Sequence, residues 1–414
     1  MPIHIPCIML IYLRSIIPLS MFFLLVFVST FAVYGTTGKT LYVDDLGDGN
    51  YTRIQDAIDN ASDEDTVHVY NGVYYENIRL YKPIKLIGEN KETTIIDGMR
   101  KDNTIFVSHD NCVIQGFTFR NCSDGSFSNV LIQSNNVMVI NNTILGGNGW
   151  GLYLYHSLNA SIIKNSFINA GINIVGNLKN WNTHTTINNT VNGKELCYFK
   201  DLSNFTFSST AGQIILVNCT NCTVKHVEIS DVDEGIVLGF SSNNFIKNNY
   251  VNGSYFGIKL HEAEKNIVED NIVERNKYGL YLTHSSENCI KENIIKENKF
   301  FGCWICCDSL NNIIYLNNFT LNNKSAYDVY SNYWYQNNVG NYWSDYNGSD
   351  ANNDGVGDTP YDILPNGKNK DMYPVVCFDK IKMQAEGKDI SGFEFLLVIS
   401  AVSTIILWRK TRRI

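Results

Sequence analysis

GIVLGFSSNNFIKNNYVNGSYFGIKLHEAEKNIVEDNIVERNKYGLYLTHSSENCIKENIIKENKFFGCWICC, residues 235–307, repeats itself. Gly235, Gly257 and Gly279 are 22 residues apart, and Gly302 follows 23 later. Asn244, Asn266 and Asn288 keep the 22-residue spacing, as do Asn249, Asn271 and Asn293. Each glycine opens a short alternating segment: GIVLGF, GIKLHE, GLYLTH and GCWICC. A period of two belongs to a strand with one buried face. Three such strands and their tight turns use about 22 residues, one coil of a solenoid whose coils hydrogen-bond to one another about 4.8 Å apart. Stacking then places Ile236, Leu238, Ile258, Leu260, Leu280 and Leu282 in inward aliphatic columns. The recurring asparagines fall at turns, where Asn tolerates a left-handed backbone and can bond its own stack. A leucine-rich repeat needs a Leu-dense consensus and a propeller repeats at about 40 residues, so neither fits. The spacing predicts an all-β chain folded as a right-handed parallel β-helix.

Outward from this stretch the pattern persists. GLYLYHS at 151–157 nearly reproduces GLYLTHS at 279–285, and TVHVY (66–70), PIKLIG (83–88) and TTIIDG (93–98) read as earlier strands. IQDAIDNA at 54–61 has apolar residues at helical spacing and is expected to form a short helix covering the N-terminal end of the core. Counting coils to about residue 346 gives roughly eleven and a rod about 50 Å long. The β-helix is assigned to 39–376, with a C-terminal cap motif at 340–376. Residues 178–212 leave the period and are expected to loop out as a small flap.

The termini differ in kind. Arg14 precedes an apolar run over 16–33, so 1–38 reads as an export signal or an N-terminal anchor. A linker, 377–391, leads to a tail at 392–414 with an apolar stretch over 395–408 followed by Arg409, Lys410, Arg412 and Arg413. Fourteen residues rise about 21 Å as a helix, and the basic end favours the cytoplasmic side. The expectation is an exported protein held at the cell surface by its tail. A net charge of -8 without a dense basic run argues against a nucleic-acid partner.

VNGKELCYFK (191–200), AGQIILVNCTNCTV (211–224) and GNYWSDYNGSDANNDGVGDTPYDI (340–363) resemble the NosD-type β-helix family, common on archaeal cell surfaces and including proteins labelled periplasmic copper-binding. The resemblance covers about 41–376. It implies a β-helix of the carbohydrate-binding and sugar-hydrolase type, and it brings a copper-related accessory role into consideration. The tail likewise resembles archaeal C-terminal sorting signals, with Ser391 where those carry Pro.

Asp350, Asn352, Asp354 and Asp358 space oxygen ligands at nearly alternate positions around Gly355, as a calcium loop does, although Tyr361 stands where a bidentate Glu is usual. Cys307 aligns with His284 one coil earlier, and thiolate with imidazole suits copper or zinc. Cys303 should point inward beside Leu280. For Cys112 with Cys122 a disulfide leads, since an exported chain permits it; the Cys-x-x-Cys of Cys219 and Cys222 reads as a disulfide or a chance spacing rather than a redox centre. Sequons such as Asn50, Asn121, Asn252 and Asn347 are expected to be exposed and open to glycans. No residue is assigned a catalytic role: Glu262, Glu264, Glu269 and Asp270 read as a solvated face.

The sequence therefore supports a surface β-helix that binds cell-envelope polysaccharide or packs with other surface proteins. The alternatives are a lyase, epimerase or hydrolase acting on uronic-acid polymers and a NosD-like copper-related accessory protein.

Overall fold

The computed structural model describes residues 38–147, 149–365 and 367–377. They form a parallel β-solenoid of about 14 turns, more than the eleven expected, because irregular early coils hide in the count. The predicted helix is Ile54–Asn60, with Ile54, Ala57 and Ile58 buried against the first coils. Its ends are capped from the next coil. The Glu76 carboxylate accepts from the Ile54 and Gln55 N–H groups at 2.8 and 3.0 Å, and Lys82 Nζ donates to the carbonyls of Ile58, Asp59 and Ala61. Opposite charges thus meet opposite ends of the helix dipole.

The aliphatic columns form as predicted. Ile214, Ile236, Ile258, Leu280, Cys303 and Ala326 lie in one register, as do Leu216, Leu238, Leu260, Leu282 and Ile305. The glycine column has a steric cause. A β-carbon on Gly235, Gly257 or Gly279 would stand 2.5–2.6 Å from the carbonyl oxygen of the next glycine in the column.

The recurring asparagines differ from expectation. The left-handed residues are the ones before them, such as Asn243, Lys265, Glu287 and Asn311. That backbone turns Asn244, Asn266, Asn288 and Asn312 inward, where they are fully buried. The Oδ1 atoms of Asn266, Asn288 and Asn312 each accept from the backbone N–H and the Nδ2 of the asparagine one coil earlier, at 2.9–3.0 Å. A second ladder runs Asn249, Asn271, Asn293, Asn317, Asn341, and a third runs Asn276, Asn298, Asn322. In this way every side-chain lone pair and amide hydrogen finds a partner without water.

Two ladders end on buried carboxylates. Asp371 Oδ2 accepts from Asn341 N at 2.7 Å and from Trp343 Nε1 at 2.8 Å. Asp328 accepts from Asn332 Nδ2 at 3.0 Å and from Trp334 Nε1 at 2.9 Å. The sequence Asn-Tyr-Trp occurs at both ends, 332–334 and 341–343, so one device stops two ladders.

Residues 178–212 do not loop out. Leu178–Asn182 is a helix, Trp181, Phe199 and Phe207 are buried, and strands Thr185–Ile187 and Thr190–Val191 complete the sheets of a first stack. Asn192 and Gly193, both at positive φ, then turn the chain back into Lys194–Lys200, which pairs antiparallel with Thr190–Val191. An Asn-Gly pair is the usual two-residue hairpin loop, because both positions need φ > 0. All later strands of this 13-stranded sheet run parallel to Lys194–Lys200. Coils of unchanged winding sense then enclose a core on the opposite face of the shared sheet. The end of the first stack consequently lies against the outer face of the second. Ile215 and Val237, which alternate with the inward columns, are buried too, and the Trp181 ring fills the space beside Gly239. Two offset stacks replace the single straight rod.

The ten cysteines among the described residues are thiols. Cys112 Sγ donates to the carbonyls of Lys82 and His109, and Cys219 and Cys222 donate to carbonyls of the preceding coil. Cys222 heads the Asn244 ladder, where its N–H donates to Asn244 Oδ1 at 2.9 Å. Both expected disulfides are thereby replaced by buried thiols in ladder-like positions. No helix of the described residues is long and apolar enough to cross a membrane; the export signal and the sorting tail lie outside those residues.

Replacing Asn271 by Ala strands the Asn249 N–H and the Ile246 carbonyl, and each buried orphan costs about 1–3 kcal/mol. We expect a clearly lower urea midpoint for Asn271→Ala and a change within about 0.5 kcal/mol for the exposed Asn323→Ala.

Candidate functional site

Strand reversal leaves a corner where the first stack meets the outer face of the second. The junction is polar and buried. Asp233 Oδ2 accepts from Gly151 N and Gly171 N at 2.8 and 2.9 Å, and the Gln213 amide pairs with Ile172 as a strand would, at 2.9 and 2.8 Å. Lys259 Nζ is 2.5 Å from Glu234 Oε1, with both side chains almost fully buried. Burial pushes the Glu234 carboxyl up, and Lys259 pulls it back. Burial likewise raises Asp233 to about 7 against the pull of its two N–H donors. Tyr153 is pushed up to about 12 by burial and then by the Glu234 charge.

Beyond the junction the outer face is aromatic. Lys259, Tyr281, Trp304 and Tyr327 share one column, and Phe256, Tyr278 and Phe301 share another. Phe256 stacks on Tyr281 at 4.5 Å, Tyr278 on Trp304 at 4.9 Å, and Phe301 on Trp304 at 5.8 Å. Trp150, from the first stack, rests on Tyr255 at 4.6 Å and starts a second wall with Tyr153 and Tyr155. Seven buried side-chain polar atoms have no hydrogen-bond partner among the described residues, and they include Trp304 Nε1, Trp181 Nε1 and Asn173 Oδ1, the last beside Tyr153 in register. A buried polar atom left unpaired is costly unless a ligand or water meets it. The strip continues towards a cleft at the C-terminal end that Lys324, Asp345, Tyr346 and Tyr361 line. There Tyr361 stacks on Trp343 at 4.2 Å, and its hydroxyl donates to Asp345.

The sequence-predicted residues fall elsewhere. In the loop proposed for calcium, Asp350 accepts from the N–H groups of Asp354 and Gly355, Asp354 from Val356 N and Asn352 Nδ2, and Asp358 from Ser349 Oγ and Ala351 N. His284 and Cys307 do meet on adjacent coils, where His284 N donates to the Cys307 carbonyl at 2.8 Å. Their side chains turn to other partners: His284 Nδ1 to Thr283 Oγ1 at 3.1 Å, and Cys307 Sγ to Cys306 Sγ at 2.9 Å. Cys303 points inward beside Leu280, as expected. Sequence reasoning missed the corner. Its signal was the residue between the two inward aliphatics of each repeat, Lys259, Tyr281 and Trp304, which faces outward.

Residues 177–348 match the family described as "Periplasmic copper-binding protein (NosD)". No curated protein matches. Among solved structures the chain is similar to a pectin methylesterase from carrot (13% identity, 63% of this chain and 83% of that one, TM-score 0.34). It is also similar to a lacto-N-biosidase from Eubacterium ramulus (10%, 71% and 68%, 0.36) and to an alginate lyase from Paenibacillus (12%, 71% and 97%, 0.29). Copper chemistry would call on Cys306, Cys307 and His284. Among the described residues, however, no three His, Cys, Asp or Glu side chains converge as a metal centre. The donor set does not fit a three-ligand copper site, nor the closed four-ligand site of structural zinc.

A raised Asp233 binds its proton more tightly folded than unfolded. Its contribution is therefore full below the ordinary carboxylate range and lost as pH rises through about 7. Asp233→Asn keeps an acceptor for both N–H groups and removes the titration. Between pH 5 and 8 the wild type should lose stability relative to Asp233→Asn by an amount on the order of 2 kcal/mol; parallel pH profiles of the urea midpoint would contradict this.

Proposed function

We propose that this protein binds an extended polysaccharide along the corner between its two stacks. The observation that carries the reading is the aromatic strip running over successive coils from Trp150 and Tyr255 to Tyr327. Aromatic rings offer large, stiff apolar faces, and sugar rings present apolar C–H faces ringed by hydroxyls. A repeating surface with rungs about 4.8 Å apart suits a repeating ligand.

This reading belongs to an exported protein of the cell envelope, as the N-terminal sequence and the periplasmic description of the matched family support. Attachment through the tail and contact with other surface proteins are parts of the same proposal. A lyase, epimerase or hydrolase on uronic-acid polymers would need an acid or base that reaches substrate. The carboxyls at the junction are Asp233 and Glu234, 6% and 1% exposed and committed to backbone N–H groups and to Lys259, so binding is favoured over catalysis. Calcium at Asp350, Asn352, Asp354 and Asp358 is proposed from the sequence alone. A melting temperature that differs between calcium and chelator, and no longer differs in Asp354→Ala, would support it; equal values would leave the loop to its own hydrogen bonds.

Affinity electrophoresis in gels containing single polysaccharides tests the main proposal. Trp304→Ala and Tyr278→Ala should each weaken retardation by about tenfold in Kd, or about 1.4 kcal/mol, with Tyr75→Ala, on an exposed site of the first stack, unchanged. Equal retardation of all four proteins would contradict it.

A further inference from the structure

Lys277, Lys299 and Lys324 stand on three successive coils along one edge of the aromatic strip. Lys277 N donates to the Ser254 carbonyl, Lys299 N to that of Asn276, and Lys324 N to that of Phe300, so each lysine lies one coil beyond the last. Lys277 Nζ is 4.4 Å from the centre of the Tyr255 ring and 5.9 Å from that of Phe300, and Lys324 Nζ is 5.3 Å from Phe301. Other lysines of the second stack hold carboxylates: Lys247 with Glu269, Lys291 with Glu269 and Glu292, and Lys296 with Glu274. The three edge lysines have no ion-pair partner among the described residues. A row of unmatched ammonium groups on a chain of net charge -8 is a local exception to its overall sign.

We infer that the polysaccharide is a linear polyanion, with carboxylate or sulfate groups regularly spaced along a chain lying parallel to the stack. This rests on the binding proposed above and adds the charge of the ligand. The rungs are about 4.8 Å apart, close to the advance of one sugar ring in an extended chain. An acidic group on each unit or every second unit therefore meets an ammonium group while its ring covers Tyr278, Phe301 or Trp304. Neutral polymers would gain the stacking but leave the lysines unmatched. Single-stranded nucleic acid also combines stacking with negative charge. The three cations here are few beside the dense basic surface that phosphate backbones require, which favours a sugar polymer.

The test uses the full-length protein with alginate and hyaluronan, each beside its carboxyl-reduced neutral form, and with single-stranded DNA. At low salt the acidic polymers should bind at least about tenfold more tightly than their neutral forms, and the difference should shrink as salt rises. The triple variant Lys277→Gln, Lys299→Gln, Lys324→Gln should bind acidic and neutral forms alike, at the neutral-form affinity. Equal, salt-independent binding of both forms by the wild type would overturn the charge assignment and leave the polysaccharide reading standing. Tighter binding of DNA than of either acidic polymer would also overturn it. No binding to any polysaccharide would overturn both.

Discussion

A buried asparagine that bonds to the asparagine above and below it is the interaction on which the rest of this structure depends. A solenoid coil has three corners where the backbone leaves one sheet and enters the next, and there its N–H and C=O groups turn away from the sheet ladders. Water cannot reach the inner side of those corners. Asn271 shows the solution: its Oδ1 takes the backbone N–H and the Nδ2 of Asn249, and its own amide reaches the Ile246 carbonyl at 2.7 Å and Asn293 Oδ1 at 2.9 Å. The arrangement works only if the next coil places another asparagine in register. This is why the 22-residue spacing of the asparagines is as regular as that of the apolar columns. It also explains the ends. A ladder must stop, and Asp328 and Asp371 stop two of them with acceptor oxygens that indole N–H groups complete. Burial raises Asp371 to about 6, the cost of placing a carboxyl where an amide would otherwise continue.

The candidate site follows from one turn. Asn192 and Gly193 reverse the strand direction inside a continuous sheet, and the core moves to the other face. Without the reversal the outer face of Gly235–Phe240 and its neighbours would look into water along its length. With it, part of that face closes over the end of the first stack. The part beyond the junction, from Tyr255 to Tyr327, becomes the floor of a corner walled by Trp150, Tyr153 and Tyr155. The same turn makes buried partners of Asp233, Gln213 and the Glu234–Lys259 pair, none of which the solenoid needs for its own coils.

Much of this was legible in the sequence, and the reasons for the remainder are physical. The glycine and aliphatic columns, the inward Cys303 and the capping helix are local or strictly periodic, and both kinds of pattern survive in a single chain. The ladder asparagines are legible by their spacing but not by their placement, because the positive φ and the inward amide belong to two adjacent residues rather than to one. Asn192-Gly193 is a strong hairpin signal, but within a repeat whose other strands run parallel it reads as one more tight turn. The disulfides failed because a thiol serves as a small buried donor in a ladder position, which cysteine spacing does not reveal. Asp371 meets Asn341 across 30 residues, beyond the reach of any repeat. The corner itself required the reversal to be known first: Trp150 and Tyr255 are more than a hundred residues apart in the chain.

The most direct measurement is a crystal structure of the protein with an acidic hexasaccharide. The account predicts density along the corner, with sugar rings over Tyr281, Trp304 and Tyr327, advancing about one ring per coil, and acidic groups directed to Lys277, Lys299 and Lys324. Density on another face, or a chain crossing the strip at right angles with its rings off the aromatics, would contradict it.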